Sequence, residues 1–214
     1  MRRKKILTLI LYIYITIVSL SNITFDKLTT ENGLISDEVM CLTQDNNGFL
    51  WIGTKIGLNR YDGCEYKKYS QNNNNFKNDY INTLYADKED NLWVGTGVGL
   101  SKIDLKNGKI KNYTQEDGFE ENQMVMDIIE DSNGIIWFVS REKGLTKFIE
   151  KENNFIKINE ISKDATSIAK DSSGNLWIGT YNGLYKVNKK IEKIDSNLLL
   201  DEWVQDVIID ENDC

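Results

Sequence analysis

The 214 residues carry 26 Lys and Arg against 33 Asp and Glu, with 15 Gly, 5 Trp and neither Pro nor His. At 40% hydrophobic content the chain can build a real core in one domain, or two at most. Without His there is no Ser-His-Asp or Cys-His pair, no His-ligated zinc and no phospho-accepting histidine within these residues. Four of the cations, Arg2, Arg3, Lys4 and Lys5, stand ahead of the first acid, Asp26, which leaves 22 cations against 33 acids in the rest. A body so acidic, with no compensating basic stripe, repels phosphate backbones and excludes nucleic acid as a partner.

The basic start leads into an apolar run, Ile6 to Leu20, and then into Ser19-Leu20-Ser21-Asn22, a small-x-small pattern before a polar chain. This order is that of a secretory signal peptide, here residues 1–21. A helix of that run reaches roughly 22 Å, short of the ~30 Å hydrocarbon core, so cleavage is favoured over an uncleaved anchor or a buried N-terminal segment. Either a signal or an anchor places the body outside the cytoplasm, in the periplasm or beyond. Cys41, Cys64 and Cys214 form an odd set without framework spacing, so packing rather than disulfides must hold the fold.

From there the chain repeats. Asp45-Asn46-Asn47-Gly48-Phe49-Leu50-Trp51-Ile52-Gly53-Thr54 returns at Asp87 to Thr96 with Trp93, at Asp131 to Ser140 with Trp137, and at Asp171 to Thr180 with Trp177. Each Trp follows its Asp by six residues, and the spacing between copies is close to 42. Each copy continues through Gly57-Leu58, Gly99-Leu100, Gly144-Leu145 or Gly183-Leu184, and each Asp is preceded by an apolar strand-like run. One unit therefore reads as four short strands: a before the Asp turn, b with the Trp, c after Gly-Leu, and d. Asp accepts turn N–H groups, Gly takes positive φ, and Trp packs between neighbouring sheets, about 4–6 kcal/mol of gross burial each. The predicted fold is all-β: a β-propeller of four-stranded antiparallel blades at about 36–69, 78–113, 122–158 and 164–194.

The opening unit, with Phe25, Asn32-Gly33-Leu34-Ile35-Ser36, Gln44-Asp45, Gly48 to Thr54 and Gly57-Leu58-Asn59-Arg60-Tyr61-Asp62-Gly63, resembles the first blade of two-component regulator propeller repeats. The resemblance covers about residues 23–214. The third copy departs from it, with Val139-Ser140 in place of Gly-Thr and one extra residue before Gly144. The resemblance implies an exported, ligand-sensing module of a bacterial receptor, followed by a membrane helix and a histidine kinase or diguanylate cyclase. It also implies a dimeric full-length receptor and no catalysis in the module itself.

Strand bookkeeping leaves two orphans, an outer strand d at 23–28 and a fifth strand a at Val204 to Ile209, the start of a fifth blade at 203–214. The ring is expected to be incomplete, as in an N-terminal fragment of a larger sensor, unless a four-blade ring uses the orphan strands differently. The b–c and d–a connections share one face, and the d–a connections vary most, so ligand contacts are expected there. Tyr80, Asn122, Arg141, Tyr181, Asn182 and Trp203 offer aromatic faces and hydrogen-bonding groups for a small molecule, oligosaccharide or peptide. Cys41, Thr83, Asp127, Ser167 and Asp206 fall at one equivalent position of strand a, expected near the central channel. Asp45-x-x-Gly48 and its copies offer too few oxygens for calcium, and no cofactor is implied. Two other functions fit an exported propeller. One is a carbohydrate-binding or adhesion module without signalling. The other is a lyase similar to antibiotic-inactivating propeller enzymes, whose general-acid His has no counterpart here.

Overall fold

The structure, a computed structural model, describes residues 26–74, 76–161, 164–194 and 203–210. The expected signal segment lies outside the described residues. Each sequence repeat folds into one antiparallel sheet whose strands run in chain order. The first sheet holds β1 (Val39–Gln44), β2 (Leu50–Thr54), β3 (Gly57–Tyr61) and β4 (Tyr66–Tyr69). The second holds β5 (Ile81–Ala86), β6 (Asn91–Thr96), β7 (Leu100–Asp104) and β8 (Ile110–Asn112). The third holds β9 (Val125–Glu130), β10 (Ile136–Ser140), β11 (Gly144–Ile149) and β12 (Asn154–Ile158). The fourth holds β13 (Ala165–Lys170), β14 (Leu176–Thr180), β15 (Gly183–Val187) and β16 (Ile191–Lys193).

The repeat residues make the same bonds each time. The Asp after strand a turns one carboxylate oxygen to the backbone N–H groups of its turn, as Asp45 does with Asn47 and Phe49 at 2.9 and 3.0 Å. The other oxygen accepts the indole N–H of the repeat Trp, at 2.7, 2.8, 2.9 and 3.0 Å from Trp51, Trp93, Trp137 and Trp177. Across the sheet, Lys102, Lys147 and Lys186 on strand c lie opposite and over the rings of Trp93, Trp137 and Trp177. After strand b, the hydroxyl of Thr54, Thr96 or Thr180 donates to the carbonyl of Gly57, Gly99 or Gly183 and closes the b–c turn.

Apolar burial joins the sheets. Trp51, Leu58 and Tyr69 pack with Ile81, Leu84, Leu92 and Val94 between the first and second. Trp93, Leu100 and Tyr113 pack with Val125, Ile128 and Phe138 between the second and third. Val139 and Leu145 pack with Ala165, Ile168 and Ile178 between the third and fourth. The innermost strands lie side by side, each blade covering the next. Among the described residues nothing covers the outward face of β1 in this way: Val39 and Leu42 are 43% and 59% exposed, while their second-blade counterparts Ile81 and Leu84 are buried.

Strand a carries a register shift in every blade, at Val39/Cys41, Ile81/Thr83, Val125/Asp127 and Ala165/Ser167. The residue left out of the ladder is re-aimed toward the next blade. Asn82 thus donates to the Val125 carbonyl at 2.8 Å, and Thr166 to the Val204 carbonyl at 2.5 Å. Val204 also donates to the Thr180 carbonyl at 3.0 Å, so 203–210 starts where the innermost strand of a further blade would. It is not a β-strand, because none of the described residues pairs with it as strand b pairs with strand a elsewhere. Residues 26–28 of the expected outer strand are likewise not in a sheet, and 23–25 lie outside the described residues. Gln71–Asn74 forms one helical turn in the first d–a connection. Among the described residues the ring is not closed, and no helix is long and apolar enough to cross a membrane.

Candidate functional site

Three of the six loop residues singled out from sequence meet on the b–c and d–a face. Arg141 and Tyr181 begin the b–c turns of the third and fourth blades, and Trp203 precedes the segment docked on the fourth. The Tyr181 and Trp203 rings stack at 5.0 Å between centroids and 9° between planes. An Arg141 guanidinium N–H donates to the Tyr181 hydroxyl at 3.2 Å, and the guanidinium carbon lies 5.9 Å from the ring centroid. Trp203 is 54% exposed, so the stack presents an open indole face with cationic N–H donors at its edge. Such a surface suits a planar or ring-shaped ligand carrying an acceptor or an anionic group.

The backbone fixes this arrangement. The Tyr181 N–H donates to the Asp164 carbonyl at 3.1 Å, and the Asp164 N–H to the Arg141 carbonyl at 2.7 Å, which stitches the two turns together. Asn182 is exposed beside the stack, its backbone N–H donating to the Thr180 hydroxyl. Tyr80 and Asn122 do not join it. Tyr80 lies on Gly97, the second-blade counterpart of Arg141, and Asn122 is an exposed left-handed turn residue with φ of 58°. In the first blade the same two positions hold an ion pair, Lys55–Glu38, at 2.6 Å.

The third b–c turn does more than its sequence reading assigned. The extra residue before Gly144 lengthens it to Arg141-Glu142-Lys143, with Ser140 accepting the Lys143 N–H at 3.2 Å in place of the usual Thr. Glu142 accepts the Met124 N–H at 2.8 Å and anchors the turn. Arg141 points to the aromatic stack, whereas Lys143 pairs with Glu120 at 2.8 Å over a small cavity lined by Gln123 and three Phe rings. That pairing, with Lys157 near, holds the Glu120 carboxyl below the usual range. The extra residue was visible in sequence. Its consequence was not, because Gln123 and Phe119 come from a d–a connection that follows no repeat.

The residues at that equivalent position of strand a sit where strands a and b, and neighbouring blades, approach closely. Cys41, Thr83 and Ser167 fill the space above Gly53, Gly95 and Gly179, whose missing Cβ atoms would fall 2.4–2.8 Å from them. Burial pushes the Cys41 thiol up to about 12 and keeps it protonated. In the third blade Val139 takes the glycine's place opposite Asp127. The Asp127 carboxylate accepts the N–H of Ile128 at 2.8 Å and that of Ile168, in the next blade, at 2.9 Å. Desolvation pushes its pKa up to about 6 despite those bonds, and Asp206 adds to the rise. Among the described residues no group of three or more acidic or thiol side chains is placed to hold a metal ion.

Comparison with known proteins agrees with this architecture. Residues 33–55, 75–97 and 159–182 match the family described as two component regulator propeller. The matched segments omit the third copy, in which Val139 and Ser140 replace Gly-Thr. The chain thus carries two-component regulator propeller repeats. A histidine kinase of Formosa agariphila is 36% identical over 75 residues, which are 34% of this chain and 6% of that protein. The extracellular domain of the hybrid two component system BT4673 of B. thetaiotaomicron superposes with a TM-score of 0.69 at 22% identity, over 82% of this chain and 25% of that one. Virginiamycin B lyase of Staphylococcus aureus superposes with a TM-score of 0.60 at 16% identity, over 75% of this chain and 56% of the enzyme. At these identities the likenesses establish the propeller fold, and the chain spans about a quarter of the first solved domain it matches.

Proposed function

We propose that this chain is the extracytoplasmic, ligand-binding part of a bacterial signal-transduction receptor, and that it has no catalytic activity of its own. The output, a histidine kinase or a diguanylate cyclase, would lie in sequence outside these residues, across a membrane helix, in a dimeric receptor. The repeat family, the likeness to an extracellular domain of a hybrid two component system and the basic-apolar start support this reading.

The observation that carries the binding role is the Arg141–Tyr181–Trp203 stack on the loop face. A small molecule, oligosaccharide or peptide would lay a ring or planar group on Trp203 and present an oxygen to Arg141. The backbone ties between the turns mean that little ordering cost falls on the protein when it binds. Trp203 is open while Trp51 and Trp93 are sealed, so the fluorescence of the full chain can report occupancy. Titration with neutral and uronate oligosaccharides and with short peptides should give a saturable change for one class. Trp203→Ala and Arg141→Ala should each weaken it by about tenfold or more. Binding that survives both substitutions, or no saturable change with any of them, would remove the reading. A secreted carbohydrate-binding propeller without signalling would use the same stack, and is separated by what the gene encodes beyond these residues.

A further inference from the structure

On the other side of the third b–c turn, the cavity beneath Lys143 has features of a second binding site. Its inner end is narrow, about 40 Å³, and is lined by Phe119, Phe138, Phe155, Gln123, Lys143 and Lys157. It shares Phe119 and Lys143 with a shallower cleft of about 260 Å³. The three rings lie 5.3–6.1 Å apart and give the cavity an apolar wall. Gln123 is 2% exposed, and its amide N–H₂ is committed to the Glu120 carbonyl, which fixes the orientation of the amide. Its Oε1 is then a sealed acceptor without a donor. A buried acceptor left unmatched is costly, so a group that supplies one hydrogen bond there is favoured.

We propose that this cavity binds a small hydroxycarboxylate. Its hydroxyl donates to Gln123 Oε1, its carbon skeleton lies on the Phe rings, and its carboxylate takes the place of Glu120 beside Lys143, with Lys157 as the second cation. An amine could also donate to Gln123, but two ammonium groups at the rim oppose it. The inner end is small, about 40 Å³, so a compact hydroxycarboxylate would extend from it into the outer cleft that shares Phe119 and Lys143. Glu121, on the outer cleft, is already paired with Lys77 at 2.5 Å and adds little repulsion. The site stands apart from the aromatic stack, so either can fail without the other.

Three probes of similar size separate the contributions: L-lactate, propionate without the hydroxyl, and lactamide without the charge. Each is titrated into the full chain, followed by the Gln123 side-chain amide resonances and the thermal midpoint. L-lactate should bind about tenfold tighter than either of the others. Gln123→Met should bring lactate and propionate within about twofold of each other, Lys143→Gln should weaken lactate about tenfold, and Trp203→Ala should change neither. Equal affinity for lactate and propionate, which would show that the hydroxyl makes no bond to Gln123, or no saturable shift with any probe, would overturn the proposal. Those comparisons on the unaltered chain decide the matter even if a variant fails to fold.

Discussion

A single carboxylate per repeat fixes both a turn and a tryptophan. Asp87 is nearly sealed, and it accepts from the backbone N–H groups of Glu89 and Asn91, the Asn91 amide and the Trp93 indole, all at 2.8–2.9 Å. Asp87→Ala strands those donors and should cost about 3 kcal/mol in denaturant unfolding, more than the same change at Asp171, which is less buried. Asp127 behaves in the opposite sense. Its pKa is about 6 in the fold and near 3.8 when exposed, so the fold holds its proton more tightly than the unfolded chain does. Its contribution to stability is therefore fullest below about pH 4 and is lost as pH rises through 6, by ~3 kcal/mol at most. Unfolding measured from pH 4 to 7 should show Asp127→Asn gaining on the unaltered chain as pH rises. A difference independent of pH would refute the assignment. The six-residue Asp–Trp spacing was legible in sequence, but the indole bond that explains it was not, since spacing says nothing of which side-chain atoms meet.

At the scale of the strand, blades are joined through close approach at strand b. A Cβ on Gly95 would fall 2.5 Å from Thr83 and 2.8 Å from Val125 of the next blade, so Gly95→Ala should lower stability by about 1–3 kcal/mol. The third blade tolerates Val139 at the equivalent place because its Asp127 turns to the Ile168 N–H rather than covering strand b. Val139→Gly should then cost about 1–3 kcal/mol by opening a void in the third seam, where Val139 is sealed. Thermal unfolding of both variants checks the pair. The four strands of each blade were readable because alternating apolar positions, Asp turns and Gly-Leu pairs recur. The bulges in strand a were not, because a register shift leaves no mark in residue type. Asn82 and Thr166, which use those bulges to bond the next blade, accordingly went unnoticed.

At the scale of the molecule, the four blades of the described residues form three apolar seams, and among those residues two faces of the same kind stay open, one on β1 and one at 203–210. The repeat made the four four-stranded antiparallel blades predictable. The site was half legible. Arg141, Tyr181 and Trp203 were found by looking for aromatic and hydrogen-bonding residues on variable loops. Tyr80 and Asn122, chosen on the same grounds, serve packing and a turn, because residue type alone does not say which loops converge. That this surface belongs to a sensor is decided by sequencing the gene beyond the codon for Cys214. The frame is expected to run on through the next repeat tryptophan into further blades, a membrane helix and a kinase or cyclase. A frame that stops without a membrane span or signalling domain would contradict it.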